Sequence, residues 1–357
     1  MTLPLAINGR SIGLGHPAYI IAELSANHGG SFDRAVETIR AMKESGADAV
    51  KLQTYTADTL TLKSDREEFR IKGTIWEGKT LHELYGEAFT PWEWQPKLKK
   101  EAEKIGLDCF STPFDATAVD FLEKMSVPAY KIASFEITDL PLIACAARRG
   151  KPLILSTGMA SAEEIQEAVE CARNAGNDRI ILLKCTSAYP AEPEEMNLRT
   201  IPDMRERFGV PIGLSDHSLE LAVPIAAVAL GACVIEKHFC LSRREPGPDT
   251  AFSLEPKEFR QMVDAVRLTE RALGIVSYKP SEKEQESKKF RRSLFVVENI
   301  AKGENFTERN VRSIRPSDGL PPKELPNVLG KHAKCAMERG TPLSWKMIEG
   351  EERNGRE

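Results

Sequence analysis

Short apolar runs alternate with helix-length segments over the first 240 residues of the chain. Amphipathic stretches such as 32–44, 92–104, 162–174 and 219–230 separate the runs. Eight β/α units in succession predict a closed parallel (β/α)8 TIM barrel. An open doubly wound sheet is the alternative, but no G-x-G-x-x-G turn follows the first run. The predicted strands are 19–23, 49–53, 108–112, 129–134, 153–157, 180–186, 212–216 and 234–238.

The pattern changes after the last long amphipathic segment, 256–273. Residues 1–276 are therefore predicted to form the barrel domain. Residues 277–290 are charged and lack glycine, which predicts a linker that can be helical. Residues 291–350 contain short β-like runs and Gly/Pro turns, and predict a small, mainly β domain of marginal stability on its own.

The interval between the second and third predicted strands, 54–107, is longer than one crossover helix requires. It is rich in aromatic and charged residues. We expect an elaborated βα loop over the mouth of the barrel, where loops carry function.

Composition excludes several classes of protein. A net charge of −4 and a pI near 6.0 offer no basic surface for nucleic acid. No apolar stretch reaches the roughly 20 residues that a membrane-spanning helix needs, and no secretory signal precedes the first predicted strand, so a cytoplasmic location is predicted. The seven cysteines show no C-x-x-C spacing, which favours buried thiols over disulfides or a thiolate zinc site.

One stretch, 211–238, places two histidines at the same edge of the predicted sheet. It is a strand, a helix and a strand, so the two strands are parallel and finish at the same edge of the sheet. His217 and His238 stand at those ends beside carboxylates. The pair favours a divalent-metal site with open positions. The alternative is that each histidine only caps its strand by hydrogen bonding.

Lysines and carboxylates also occur inside the predicted strands, where barrels favour branched apolar side chains. Lys51 and Lys131, with several hydroxyl groups, suit a small polyanion such as a phosphorylated carboxylic acid. The alternative is that the two lysines form internal salt bridges with Glu23 and Glu136.

Several strings resemble those of the sialic acid synthase family, in order and at every predicted strand: IAELSANHGG, AVKLQTY, FSTPFD, AYKIASFEI, LSTGMAS, LLKCTSAYP, GLSDHS, VIEKHF, GPDTAFSLEP and RSIRPSDGLPP. The resemblance covers essentially the whole chain. It implies an enzyme that joins phosphoenolpyruvate to an open-chain amino sugar, using a divalent metal, to form a nine-carbon 2-keto acid. The C-terminal segment resembles the family's antifreeze-like (SAF) domain, which in a domain-swapped homodimer closes over the partner's barrel.

The resemblance also implies roles for individual residues. His217 and His238 would hold Mn²⁺ or Mg²⁺. Glu136, or as second choice Glu23, would orient or deprotonate the attacking water. Phosphoenolpyruvate would be bound by Lys51, Thr112, Lys131, Ser134, Ser187 and Ser215. The sugar would be bound by Glu23, Gln53, Tyr189, Asp249 and, from the other subunit, Arg315.

Within the family, the segment 73–94 and Ser187 look most like the members that use 2,4-diacetamido-2,4,6-trideoxy-L-altrose, which serve cell-surface glycan biosynthesis such as flagellin glycosylation. Members that use N-acetylmannosamine typically carry asparagine in place of Ser187. Synthesis of N-acetylneuraminate or legionaminate is the first alternative. A Schiff-base aldolase acting through Lys51 or Lys131, or a non-catalytic sugar-binding protein, is the more distant one.

Overall fold

The computed structural model describes residues 5–245 and 247–350, in two compact units that divide after Gly274. Residues 1–4 and Pro246, which the predicted barrel domain includes, lie outside the described residues. The bounds predicted for the barrel domain, the linker and the C-terminal domain stay predictions.

The first unit confirms the predicted barrel. Within the described residues, eight parallel strands close on themselves, because the last strand pairs with the first and His238 lies opposite Glu23. A short antiparallel hairpin, β1 (Leu5–Ile7) and β2 (Arg10–Ile12), precedes the barrel and was not predicted. The barrel strands are β3 (Tyr19–Glu23), β4 (Ala49–Thr54), β5 (Asp108–Pro113), β6 (Tyr130–Ile132), β7 (Leu153–Ser156), β8 (Ile180–Cys185), β9 (Ile212–Asp216) and β10 (Val234–His238).

Most helices of this unit, such as those over Phe32–Glu44 and Ala162–Asn174, bury one apolar stripe. The helix that begins after Ser161 shows how its start is fixed: Ser161 Oγ accepts from the Glu164 amide, and the Glu164 carboxylate accepts from the Ser161 amide at 2.7 Å. The helices of this unit are α1 (Phe32–Glu44), α2 (Ala57–Leu60), α3 (Leu81–Ala88), α4 (Gln95–Lys104), α5 (Ala116–Lys124), α6 (Leu140–Ala147), α7 (Ala162–Asn174), α8 (Thr200–Phe208), α9 (Ala222–Ala229) and α10 (Pro256–Leu273).

The long segment between β4 and α4 is an ordered excursion rather than a simple crossover. It holds α2 and α3, and a capping box between Thr80 and Glu83 starts α3. Trp92 Nε1 donates to the Tyr55 carbonyl oxygen at 3.0 Å, which ties the end of the excursion to its beginning. Its backbone is therefore held by specific contacts.

The second unit has a hydrophobic core of its own, formed by residues such as Leu294, Phe306 and Val328. Its elements are α11 (Glu282–Ser287), β11 (Ser293–Val296), β12 (Val311–Ile314) and α12 (Leu325–Val328), and β11 pairs with β12 antiparallel. Among all described residues, no helix is long and apolar enough to cross a membrane.

Candidate active site

The C-terminal ends of the barrel strands bring the predicted polar residues together. Side chains alternate along a strand, so Glu236 and His238 share one face of β10 while Lys237 takes the other. The register sets Glu236 opposite Ser215, and Glu23 opposite both His238 and Lys51. These side chains are almost completely buried, so each needs a partner or a ligand.

Two lysines and two glutamates form a buried network. Lys51 Nζ lies 2.6 Å from Glu23 Oε2 and 3.4 Å from Glu236 Oε1. Lys131 Nζ lies 3.7 Å from Glu236 Oε1 and donates to Ser156 Oγ at 2.7 Å. Lys51 thus pairs with Glu23 as the salt-bridge alternative expected, but the partner of Lys131 is Glu236. The expected pairing of Lys131 with Glu136 was wrong, because Glu236 reaches both ammonium groups across the barrel interior, from a strand that pairs with neither β4 nor β6.

The network shifts the pKa values of these groups in different directions. Burial lowers the pKa of Lys131. Burial also acts to lower the pKa of Lys51, but the charges of Glu23 and Glu236 outweigh it and raise that pKa. Burial opposes ionisation of Glu236, yet Lys131 and Lys51 hold its pKa below the usual value. The two ammonium groups therefore converge on one ionised carboxylate, beside which an incoming anion would find fixed cations.

Hydroxyl groups surround the glycine that follows β7. The Gly158 amide donates to Ser134 Oγ at 3.1 Å. A Cβ atom at position 158 would lie 2.1 Å from Ser187 Oγ and 2.8 Å from Ser134 Oγ, so no side chain fits there. Thr112 Oγ1 accepts from Lys51 at 3.3 Å, and Ser215 Oγ donates to Glu236 at 3.4 Å. The arrangement provides short hydroxyl donors around the lysine network.

The two histidines lie next to each other, with ring centroids 5.4 Å apart. His238 Nδ1 is buried and has no hydrogen-bond partner among the described residues. Burial, and then the charge of His217, lower the pKa of His238 well below the usual value, so its ring is neutral. His217 Nδ1 lies 2.9 Å from the Thr186 carbonyl oxygen, which leaves Nε2 as its free atom.

This pair fits a divalent cation as two imidazole ligands. Within the described part of the chain, no three His, Cys, Asp or Glu side chains cluster as metal ligands. Two imidazole ligands would leave the other coordination positions to water or substrate. Burial acts to lower the pKa of His217, but the neighbouring Cys185 raises it overall. A cation would bind the neutral form of this ring.

A cavity of about 360 Å³ opens beside the network, in the range of small-molecule sites. Gln53 Nε2 donates to Glu23 Oε1 and to Ser25 Oγ, both at 3.0 Å, and Ser25 Oγ donates to the Asp249 carboxylate. Burial raises the pKa of Asp249. Polar groups that suit a sugar thus lie on one wall of the cavity.

Two further predicted residues line the same cavity. The ring of Tyr189 lies 4.5 Å from that of His217 and 5.0 Å from that of Phe252. Glu136 stands at the end of a 3-10 turn after β6, and its Oε2 has no hydrogen-bond partner in the described structure. Burial raises the pKa of Glu136 to about 7, which suits a group that exchanges protons near neutrality.

Arg315 is the one predicted site residue outside the barrel unit. It follows β12, is exposed, and forms no ion pair within the described residues. Sequence reasoning missed Ser25, although it lies two residues after Glu23 and period-two alternation could have indicated it. It also missed Trp76 and Phe252 as cavity residues. It did not identify Gly158 as a position where no side chain fits.

Comparison with known proteins identifies relatives of both units. A model described as the NeuB family matches residues 38–278, and one for the SAF domain matches residues 291–349, as predicted for the C-terminal segment. A pseudaminic acid synthase of Campylobacter jejuni subsp. jejuni serotype O:23/36 (strain 81-176) is 48% identical over 325 residues, covering 91% of this chain and 95% of that protein.

A pseudaminic acid synthase of Helicobacter pylori (strain ATCC 700392 / 26695) is 47% identical over 334 residues, covering 93% of this chain and 98% of that protein. Among solved structures, the N-acetylneuraminic acid (sialic acid) synthetase of Leptospira borgpetersenii serovar Hardjo-bovis, in complex with citrate, aligns with a TM-score of 0.71 and 33% identity. That alignment covers 80% of this chain and 95% of the other. The chain therefore belongs to the NeuB family.

Proposed function

We propose that the protein is a pseudaminic acid synthase. It condenses phosphoenolpyruvate with 2,4-diacetamido-2,4,6-trideoxy-L-altrose and water, and releases pseudaminic acid and phosphate. The observation that carries the proposal is the buried network of Lys51, Lys131, Glu23 and Glu236 beside two adjacent imidazoles, in a chain whose Campylobacter and Helicobacter relatives bear that name.

The lysine network and the hydroxyl groups bind phosphoenolpyruvate. Lys51 and Lys131 neutralise its carboxylate and phosphate oxygens, and the hydroxyls donate to those that remain. The contacts of the lysines support this role, because both ammonium groups converge on the single carboxylate of Glu236 and lie among hydroxyl groups. The hydroxyl donors are Thr112, Ser134, Ser187 and Ser215.

His217 and His238 would hold a divalent cation, Mn²⁺ or Mg²⁺. When bound, such a cation supplies Lewis acidity that polarises the aldehyde oxygen of the sugar. The neutral ring of His238, with a nitrogen that has no partner among the described residues, supports this assignment.

Carbon C3 of phosphoenolpyruvate attacks the aldehyde carbon of the sugar, and the aldehyde oxygen takes up a proton to become a hydroxyl group. Water then adds to C2 and gives up a proton, and the tetrahedral centre loses phosphate. Glu136 accepts the proton from this water, because a carboxyl with a pKa of about 7 is partly ionised at neutral pH and its Oε2 has no protein partner in the described structure. Glu23 is the second candidate, but its two carboxylate oxygens already contact Lys51 and Gln53.

Glu23, Gln53, Tyr189 and Asp249 bind the sugar hydroxyls from the polar wall of the cavity. We further propose that Arg315 from a second copy of the chain reaches an acetamido group in a domain-swapped homodimer. Its exposure and its lack of an ion pair within the described residues support a role toward a ligand.

The test is phosphate release from phosphoenolpyruvate with Mn²⁺, offering in parallel the altrose derivative, its gluco-configured relative for legionaminate, and N-acetylmannosamine. Release with the altrose derivative alone, abolished by a chelator, is expected. Preference for another sugar would replace the substrate and keep the mechanism. No release with any sugar, or a borohydride-trapped adduct on a lysine with turnover that survives chelation, would overturn the proposal.

A further inference from the structure

The cavity beside the active site is lined by two groups of residues. One group lies at the strand ends and in the loops that follow them, and it includes the polar residues Gln53, Glu136, His238 and Asp249 together with aromatic side chains such as Phe252. The other comes from the excursion between β4 and α4 and is almost wholly apolar. It is formed by Leu60, Ile71, Trp76, Leu81, Leu84 and Tyr85, which we call the apolar wall.

Contacts on several sides hold the apolar wall in place. Trp76 Nε1 donates to the Pro248 carbonyl oxygen at 2.9 Å, and its ring lies 5.8 Å from that of Tyr189. Tyr85 packs edge-on against Tyr55 at 5.8 Å, and the Ile71 amide donates to the Lys79 carbonyl oxygen at 2.9 Å. The wall is thus formed without a ligand, which lowers the entropic cost of binding one.

Several side chains of the wall are only partly covered by protein. Leu60, Ile71 and Trp76 are half-buried although they face a concave cavity. Leu62 and Ile75, in the same excursion, are 55% and 52% exposed and do not line the cavity. Partly covered apolar side chains inside a cavity gain most when a ligand's apolar groups remove them from water.

We propose that the apolar wall binds the methyl groups of the sugar, those of its 6-deoxy carbon and its C4 acetamido group, and thereby selects a diacetamido-trideoxy sugar. This inference rests on the proposed function. N-acetylmannosamine carries hydroxyl groups at both positions. Hydroxyls placed against Leu60 and Ile71 would lose water without gaining a protein partner, and this desolvation weakens the binding of N-acetylmannosamine.

A double substitution of the wall, L60A/I71A, tests the inference against a matched control. The control, L62A/I75A, removes the same side chains from the same excursion at positions outside the cavity. For each protein, kcat/KM is measured with the diacetamido sugar and with N-acetylmannosamine, together with the KM for phosphoenolpyruvate and the thermal midpoint.

We expect L60A/I71A to lose about 10- to 200-fold in kcat/KM for the diacetamido sugar, the range for a lost apolar contact. Its preference over N-acetylmannosamine should fall, with the KM for phosphoenolpyruvate unchanged and the control like the wild type. The variant L60M/I71L, which keeps an apolar surface, should retain most of the activity. If L60A/I71A unfolds, I71T, which adds a hydroxyl while keeping a branched side chain, provides the same comparison.

Equal behaviour of the wall variant and the control would overturn the inference and leave the proposed function intact. Failure of the wild-type protein to use the diacetamido sugar would overturn the proposed function, and this inference with it.

Discussion

Replacing Lys237 by methionine should destabilise the barrel more than any change to an exposed charge. Lys237 Nζ lies 2.5 Å from Asp216 Oδ2 and also donates to the Ser218 carbonyl oxygen. Both side chains of the ion pair are 0% exposed. Methionine keeps most of the volume but leaves the Asp216 carboxylate buried without its cation. Removing one member of a buried pair costs about 3–5 kcal/mol.

That cost should appear as a lower thermal midpoint. For a domain near this size, 1 kcal/mol corresponds to about 2–4 °C, so we expect a fall of about 6–20 °C. Lys104 offers a matched control, because its Nζ also lies 2.5 Å from a carboxylate, Glu101 Oε1, but the two side chains are 56% and 30% exposed. K104M should cost less than about 1 kcal/mol.

The double variant D216N/K237M separates the ion pair from simple loss of packing. An amide at position 216 carries no charge, and its oxygen can still accept from the Ser218 amide, as Asp216 Oδ1 does at 2.9 Å. The double variant should therefore recover more than half of the stability that K237M loses. A loss below 1 kcal/mol in K237M, or a double variant no more stable than K237M, would refute the reasoning.

The same pair flanks both histidines, since Asp216 precedes His217 and Lys237 precedes His238. It ties β9 to β10 on the face opposite the imidazoles. With His217 and His238 proposed as the metal ligands, we expect K237M to weaken Mn²⁺ binding by about 10- to 100-fold, the range for residues that orient such ligands. Electron paramagnetic resonance of free Mn²⁺ measures this without turnover.

Two further predictions concern the reaction itself. Burial raises the pKa of Glu136 to about 7, so its carboxyl is protonated below that pH and cannot accept a proton. We therefore expect kcat/KM to fall about tenfold per pH unit on the acid side of the pH profile. E136Q should lose this acid limb of the profile and about 10²- to 10⁴-fold in rate. An acid limb that persists in E136Q would contradict the assignment. G158A should raise the KM for phosphoenolpyruvate and lower the thermal midpoint, since its Cβ would lie 2.1 Å from Ser187 Oγ and 2.8 Å from Ser134 Oγ. Adding S187A removes the shorter contact and should restore part of the stability without restoring affinity, as steady-state rates and melting curves would report.

The barrel could be predicted because each strand is a short apolar run between longer amphipathic segments, and β9 and β10 fall within the bounds expected for them. The N-terminal hairpin was missed because its strands have only three residues each. Its turn was nevertheless visible as Asn8-Gly9, both with positive φ, a dipeptide typical of tight hairpins.

The site residues, too, could be predicted from the sequence only in part. Glu23, Lys51 and His238 could be found because parallel strands end at a common edge, so polar residues at those ends must meet. The partner of Lys131 could not, because Glu236 lies on a strand that is not adjacent to β6, and the contact depends on how side chains meet across the barrel interior. Trp76 and the rest of the apolar wall could not be found either, since the excursion has little periodicity and its shape depends on distant contacts such as that with Pro248.

Closure of the barrel makes the site a late product of folding. Glu23 lies on the first barrel strand and His238 on the last, and they become neighbours only when β10 pairs with β3 across more than half the chain. A nascent chain that ends before Val234 lacks Glu236 and His238, and so has neither the carboxylate between the lysines nor the second imidazole. Half-barrels and interrupted translation products should therefore be inactive, so incomplete chains of this enzyme would have no partial activity.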